Sequence, residues 1–215
     1  MEKSQLVLFQ NEDLVIANKP AGVPSQPDQT EDTSILSILQ KELDQTLFLI
    51  NRIDRPVSGC ILIAKSSKAQ AVYSNMSIQK KYIAITSARD IDQSGELLYY
   101  LKSDGRKRKA FVSNKQALVY KACQMHYMIK HQFDNYLALD IEIETGRFHQ
   151  IRAGLSHFNM PVKGDVKYGA RRGNKDRSVD LHAYSVAIDN EVLVSFADPK
   201  RSGSLWENIV KLYTD

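Results

Sequence analysis

Apolar residues open the chain in two short runs, Leu6-Val-Leu-Phe9 and Leu14-Val-Ile-Ala17, on either side of the polar Asn11-Glu-Asp13. Two such runs around a short polar turn predict a β-hairpin, and a proline-bounded loop from Pro20 to Pro27 follows it. Thr33 or Ser34 can cap a helix that runs to about Leu43, with Ile35, Leu36, Leu39 and Leu43 on one face. The unbroken apolar run Cys60-Ile-Leu-Ile-Ala64 predicts a buried strand. Ser66 to Lys80 reads as a helix and Tyr82-Ile-Ala-Ile-Thr86 as a strand. Ala117 to Ile129 and Tyr136 to Glu144 carry the alternation and the β-branched and aromatic residues of an antiparallel pair, with His131 to Asn135 as its turn. Gly146 stops that pair, and His149 to Phe158 has helical spacing that puts His149 and Arg152 on one face. Strands at His182 to Ile188 and Val192 to Phe196 precede a last helix from about Ser204 to Tyr213.

Hairpins outnumber strand-helix-strand alternations in this pattern. It therefore predicts an α+β fold, a mixed and mainly antiparallel central sheet with flanking helices, in preference to a doubly wound sheet. At 215 residues the chain is long enough for a full core, and one domain over residues 1–215 is the expectation.

Composition narrows the class. Hydrophobic residues at 43% and charged residues at 25% are ordinary globular values, which excludes disordered and fibrous chains. No apolar run approaches the length of a membrane span, and Met1-Glu-Lys-Ser-Gln5 lacks a basic-then-apolar leader pattern, so the cytoplasm is the expected compartment. Cys60 and Cys123 lie far apart with no C-x-x-C spacing, which reads as buried thiols rather than a zinc site or a disulfide. The net charge of +4 is modest, but the basic residues gather in two segments that read as loops. Lys102 to Lys115 includes Lys107 and Arg108, and Lys163 to Arg177 includes Arg171 and Arg172. Each alone reads equally as a solvated surface; two together favour a polyanion partner, because such patches neutralise phosphates and release counterions.

Two segments concentrate chemistry. In Asn51-Arg-Ile-Asp-Arg-Pro-Val-Ser-Gly59, Arg52 and Arg55 flank Asp54 just before the buried strand. Taken alone, this favours an ion pair tying loop to strand, yet an arginine-flanked carboxylate at a core edge stays ionised and is suited to act as nucleophile or base. In Thr145-Gly-Arg-Phe-His-Gln-Ile-Arg-Ala153, Arg147, His149, Gln150 and Arg152 fall within six positions where a strand ends and a helix begins, adding side-chain charge to the helix N-terminal field. The alternative is local: pairing of the arginines with Glu142 or Glu144, and a hydrogen bond for His149 within the turn.

Together the segments closely resemble the RluA-type pseudouridine synthases. Residues 51–59 are similar to that family's H-R-L-D-R-x-T-S-G, Lys81-Tyr82-Ile-Ala84 to K-x-Y-x-A, Thr145 to Arg152 to T-G-R-T-H-Q-I-R, and Pro161-Val-Lys-Gly-Asp-Val-Lys-Tyr-Gly169 to P-I-x-G-D-x-x-Y-G. Asn18-Lys-Pro-Ala-Gly-Val23 and Leu181-His-Ala183 add weaker agreement. The departures are Asn51 for histidine, Phe148 for threonine, and Ala153-Gly154 where a branched residue and histidine are usual.

The resemblance implies a catalytic domain without an extra N-terminal RNA-binding domain, which isomerises uridine in ribosomal or transfer RNA. It implies Asp54 as nucleophile, Arg152 as the cation paired with it, and Tyr82 against the target uracil. Arg52 would fill the space left by the extruded base, while Arg55, Arg147, His149, Gln150, Lys107, Arg108, Arg171 and Arg172 would hold structured RNA. Because the reaction is an isomerisation, neither metal nor redox cofactor is expected, in keeping with the lack of a G-x-G-x-x-G or Walker motif. The protein is expected to act as a monomer without an obligatory protein partner. Two other readings compete: a metal-dependent phosphoesterase with Asp54, His149, Asp165 and His182 as ligands, disfavoured by the surrounding arginines, and a non-catalytic RNA-binding or ribosome-assembly factor.

Overall fold

In the computed structural model, which describes residues 6–87, 90–143 and 145–214, the opening hairpin forms as expected. The Asn11 side chain closes it, Oδ1 accepting from the backbone N–H of Asp13 at 3.0 Å and of Leu14 at 2.7 Å. Along the chain come β1 (Val7–Gln10), β2 (Leu14–Lys19), α1 (Ile35–Leu43), β3 (Phe48–Leu49), β4 (Ser58–Ala64) and α2 (Ser67–Tyr73). There follow β5 (Ile78–Ser87), β6 (Ser94–Asp104), β7 (Lys109–Ser113), β8 (Lys121–Gln132) and β9 (Tyr136–Ile143). The remainder is α3 (Gln150–His157), a 3-10 turn at Val166–Tyr168, β10 (Leu181–Ile188), β11 (Glu191–Val194) and α4 (Ser204–Thr214).

The chain divides into two compact units, Met1–Gln79 with His182–Asp215, and Lys80–Leu181. In the first, β2 lies between β1 and β4, both antiparallel to it, and β4 continues to β10 through a parallel pairing of Ser58 with His182 and Gly59 with Ala183. Strand β11 adds to β10, and β3 to β4. In the second, antiparallel neighbours run β5-β9-β8-β6-β7. Mixed, mainly antiparallel pairing with flanking helices is thus the observed fold class.

The unbroken apolar runs of β2 and β4 follow from burial on both faces, which removes the polar alternation of a half-exposed strand. Leu14, Ile16, Cys60 and Leu62 pack with Val186, Ile188 and Val194 in one cluster. Val15, Ala17, Ile61 and Ile63 pack with Ile35 and Leu39 of α1 in the other. Ser34 caps α1, its Oγ accepting from Ser37 N at 3.1 Å. Both cysteines are free and buried, and burial pushes the Cys60 thiol up to about 12.

Three boundaries correct the sequence reading. The helix expected over residues 66–80 stops at Tyr73, and its expected last turns belong instead to a turn and to β5, which pairs with β9 from Lys80–Ile143 to Ser87–Tyr136. The first basic segment is a hairpin rather than a loop: β6 pairs with β7 from Tyr100–Ser113 to Asp104–Lys109, leaving Lys107 and Arg108 at its tip. The strand expected from Ala117 starts at Lys121, after a turn closed by Tyr120 N to Ala117 O. The end of the following strand, at Glu144, lies outside the described residues.

Gly59 is fixed by close approach. Its φ is +116°, and a Cβ there would sit 2.1 Å from the Ala183 carbonyl oxygen. Gly59→Ala is expected to lower stability by about 2–6 kcal/mol, combining ~1–3 for overpacking with ~1–3 for the strained backbone. Urea unfolding checks this, and a loss below about 0.5 kcal/mol would mean that the two strands separate easily at this point.

Candidate functional site

In the first unit, Asp54 opens a turn that delivers the chain into β4, closed by Val57 N donating to Asp54 O at 3.0 Å. Apolar side chains hold the turn from below, with Ile53 and Val57 buried. Ser25 pins it from the side, Oγ donating to Ile53 O at 2.7 Å and accepting from Ile53 N at 3.3 Å. Asp54 is half-buried and Arg52 exposed. Arg55 is engaged as a brace: Nε donates to Gly22 O at 2.8 Å, Nη1 to Thr30 Oγ1 at 3.0 Å and Nη2 to Asp32 Oδ2 at 2.5 Å. Asn51 also braces, Oδ1 accepting from Leu62 N at 2.7 Å, so the departure from histidine at this position still ties the turn to β4.

Lys19, to which the sequence reading gave no role, is the largest fully buried side chain of this unit, 0% exposed. Its Nζ donates to the carbonyls of Pro20 (2.8 Å), Val23 (2.7 Å) and Arg55 (3.2 Å), so it knits the loop after β2 to the Asp54 turn. Burial pushes its ammonium down to about 7; the Asp54 carboxylate opposes this, and the Arg55 and Arg201 charges add to it. The signal for it in the sequence is a lysine just beyond the apolar run Leu14–Ala17. Its unfolded-state value is the ordinary 10.5, so between about 7 and 10.5 the unfolded chain holds a proton that the folded chain has released. Stability therefore rises with pH through that window, by up to about 1.4 kcal/mol per unit, and the full cost of the buried cation is present below it. Thermal unfolding from pH 7 to 10 is expected to show this rise in the natural protein and to lose it in Lys19→Met. Equal slopes in the two would assign the pH dependence to another group.

His182 is buried in the same unit between Ser58 Oγ, 2.8 Å from Nδ1, and the Ala197 carbonyl, 2.6 Å from Nε2. Since a carbonyl only accepts, Nε2 carries the proton and Nδ1 accepts from the serine. Burial pushes the imidazole down to about 4, so the ring is neutral.

In the second unit, Arg152 and Asp165 form a buried bidentate pair, 4% and 2% exposed, with Nε to Oδ2 at 2.6 Å and Nη2 to Oδ1 at 2.9 Å. This fixes the plane of the guanidinium, which also lies 5.3 Å from the centre of the Tyr168 ring. Tyr168 accepts at its hydroxyl from Ala110 N (2.8 Å) and meets His149 Nδ1 at 2.7 Å. His149 is buried at φ +55° ahead of α3, and burial, reinforced by Arg152 and Lys167 against Asp165, pushes it down to about 3. Gln150 is buried too, Oε1 accepting from Thr145 Oγ1 (2.7 Å) and Arg147 N (3.1 Å), Nε2 donating to Gln124 O (3.2 Å). His149 and Gln150, which the sequence suggests as contacts to RNA, are thus both buried and hydrogen-bonded within this unit. Arg147 donates from Nε to Ala122 O at 3.1 Å, and Glu142 lies 3.8 Å from Lys81. Gly154 leaves room for Tyr99: a Cβ there would meet the tyrosine hydroxyl at 2.4 Å, and that hydroxyl donates to Gln150 O at 2.9 Å. Tyr82 is buried on β5 opposite Ile141 of β9.

The two basic segments meet in this unit. Lys167 Nζ donates to Arg108 O at 3.0 Å, and Lys109 Nζ lies 5.2 Å from the Tyr168 ring centre. Lys107, Arg108, Arg171 and Arg172 are all exposed. Of the residues considered as metal ligands, His182 has both ring nitrogens engaged, and Asp165 is committed to Arg152. Among the described residues no three His, Cys, Asp or Glu side chains gather as a metal-binding set. Among them, too, no helix is long and apolar enough to cross a membrane.

Comparison with known proteins follows the same line. The family model described as RNA pseudouridylate synthase matches residues 13–157. The chain is 30% identical over 212 residues to the tRNA pseudouridine synthase C of Haemophilus ducreyi, covering 90% of this chain and 86% of that protein. It is 25% identical over 199 residues to the ribosomal large subunit pseudouridine synthase D of Borreliella burgdorferi, covering 85% of this chain and 60% of that one. The fold is similar to human RNA pseudouridylate synthase domain containing 1, with a TM-score of 0.75 at 19% identity over 97% of this chain and 94% of that one. With the family model matched over more than half of the chain and a relative this similar across nine-tenths of it, the chain belongs to the RNA pseudouridylate synthase family, isomerases that act on RNA.

Proposed function

We propose that this enzyme converts one or more specific uridines of structured ribosomal or transfer RNA to pseudouridine, with Asp54 as the nucleophile. In this isomerisation the bond from ribose C1′ to N1 of uracil breaks and one to C5 forms. The C5 hydrogen leaves as a proton and N1 acquires one, so composition and oxidation state are unchanged and no metal or redox partner is demanded. Asp54 attacks either C6 of the base or the sugar, and both routes need it ionised. Tyr82 lies against the uracil and assists removal of the C5 proton, and Arg152 is the cation that the resemblance assigns to the chemistry. Extruding the target base costs a few kcal/mol, least in loops, and Arg52 takes the vacated space. The exposed cations Lys107, Arg108, Arg171 and Arg172 hold the backbone by charge and shape rather than by sequence.

The observation that supports this reading is the setting of Asp54, a half-buried carboxylate on a braced turn, electrostatically coupled to buried Lys19. The test is pseudouridine mapping on total ribosomal and transfer RNA from cells with and without the protein, joined to tritium release from RNA labelled at C5 of uridine. Loss of one or a few pseudouridines without the protein, with label released by the purified enzyme, is the expected result. RNA binding with no label released from either RNA class would instead favour a non-catalytic assembly role.

A further inference from the structure

In the second unit, β6, β8 and the turn ahead of α3 enclose an open groove of about 660 Å³, a volume in the range of small-ligand sites. Its wall carries Lys102, Lys121 and Arg147 beside Leu101, Val119 and Phe148, and among the described residues it carries no Asp or Glu. Phe148 is 41% exposed, unusual for a large aromatic, and replaces the threonine of the resembled motif. It is not loose: its ring stacks on that of His149, centroids 3.8 Å apart and planes 19° from parallel. His149 is itself buried and held by the Tyr168 hydroxyl at 2.7 Å. Arg147 is anchored through Nε to Ala122 O, which leaves its guanidinium along the groove wall.

A rigidly backed aromatic ring beside three cations is the chemistry that grips an unstacked nucleotide, the ring taking the base and the cations its phosphates. We propose that this groove holds a single unstacked nucleotide of the RNA substrate other than the uridine that is isomerised, with its base on Phe148 and its phosphates at Lys102, Lys121 and Arg147. Its wall includes none of Asp54, Tyr82 and Arg152, so it serves placement of the RNA and not bond making. The inference rests on RNA being the substrate, as set out above.

Fluorescence anisotropy tests it with two labelled strands of equal length, an oligouridylate and a tetrahydrofuran-spacer strand that has the phosphates but no bases. Phe148→Leu is expected to weaken the oligouridylate about tenfold and leave the spacer strand unchanged, while Phe148→Trp keeps both. Lys102→Ala and Lys121→Ala are expected to weaken both strands and to lower the slope of log affinity against log salt by about 0.7 for each phosphate that is no longer neutralised. Equal affinities of Phe148→Leu and natural protein for the oligouridylate would overturn the proposal and give the groove to another occupant, such as a peptide. Should Phe148→Leu disturb folding, ultraviolet cross-linking of a 5-iodouridine oligomer to the natural protein decides the matter: an adduct on the peptide bearing Phe148 supports it, and adducts only elsewhere overturn it. Asp54→Asn should keep the Phe148-dependent affinity. If that variant isomerises RNA normally, the mechanism fails and the groove stands; if label is released by a protein without Phe148-dependent binding, the groove alone fails.

Discussion

Asp54→Asn is expected to fold as the natural protein does, to bind RNA, and to release tritium from C5-labelled uridine on the order of 10⁴-fold more slowly or not at all. The substitution is close to isosteric, and the turn that presents the side chain is closed through the backbone oxygen of residue 54, which an amide leaves in place. The variant should therefore keep the closure of the turn and remain folded. One coupled effect is expected. The Asp54 carboxylate is the group that raises the pKa of buried Lys19 against the lowering by burial, so removing it should depress that lysine further and extend the pH-dependent rise in stability to lower pH. Single-turnover label release together with a pH series of unfolding curves reads both outcomes. Normal turnover by a folded Asp54→Asn protein would remove Asp54 from the chemistry.

The second large effect concerns the Arg152–Asp165 pair. Both side chains are almost wholly buried, so removing one partner leaves an uncompensated charge in the interior, at a cost of about 3–5 kcal/mol. Asp165→Ala and Arg152→Ala are each expected to lose stability of that order in urea unfolding. The double variant Arg152→Met with Asp165→Leu, which removes both charges and restores apolar volume, should recover most of it. Turnover separates structure from chemistry. Arg152→Ala should lose label release while keeping part of its RNA affinity, and the double variant should be stable and inactive. A stable, active double variant would confine Arg152 to structure. Asp165 fixes the guanidinium plane of Arg152 by two hydrogen bonds.

The legible parts of the sequence were those in which the instruction is local. Ser34 as cap, Asn11 as turn closer and the apolar runs of β2 and β4 each express a preference that a few neighbouring residues complete. The helix over 66–80 failed where local preference met a distant competitor. Lys80 and Lys81 suit a helix, but each has a partner in β9, and pairing a strand edge outweighs the small helix propensity of single residues. The basic hairpin follows the same rule: charged residues at a tip carry the composition of a loop, and only the pairing of the two flanking segments makes them a hairpin. His149 and Gln150 show the limit for sites. Their residue types suit RNA contact, but that both are buried and hydrogen-bonded inside the unit is visible only in the structure.

By itself the sequence determined the fold class, the order of the motifs and the family, because apolar periodicity states which faces must leave water and motif spacing survives whatever happens between. Only the tertiary structure decided that Arg152 lies against Asp165, that Lys19 is sealed beneath the Asp54 turn, that two basic segments far apart in the chain become neighbours, and that Phe148 is backed by His149. Each is a contact between side chains brought together by chain closure, and its energy depends on the distance and desolvation of both partners, quantities that do not exist until the fold has formed.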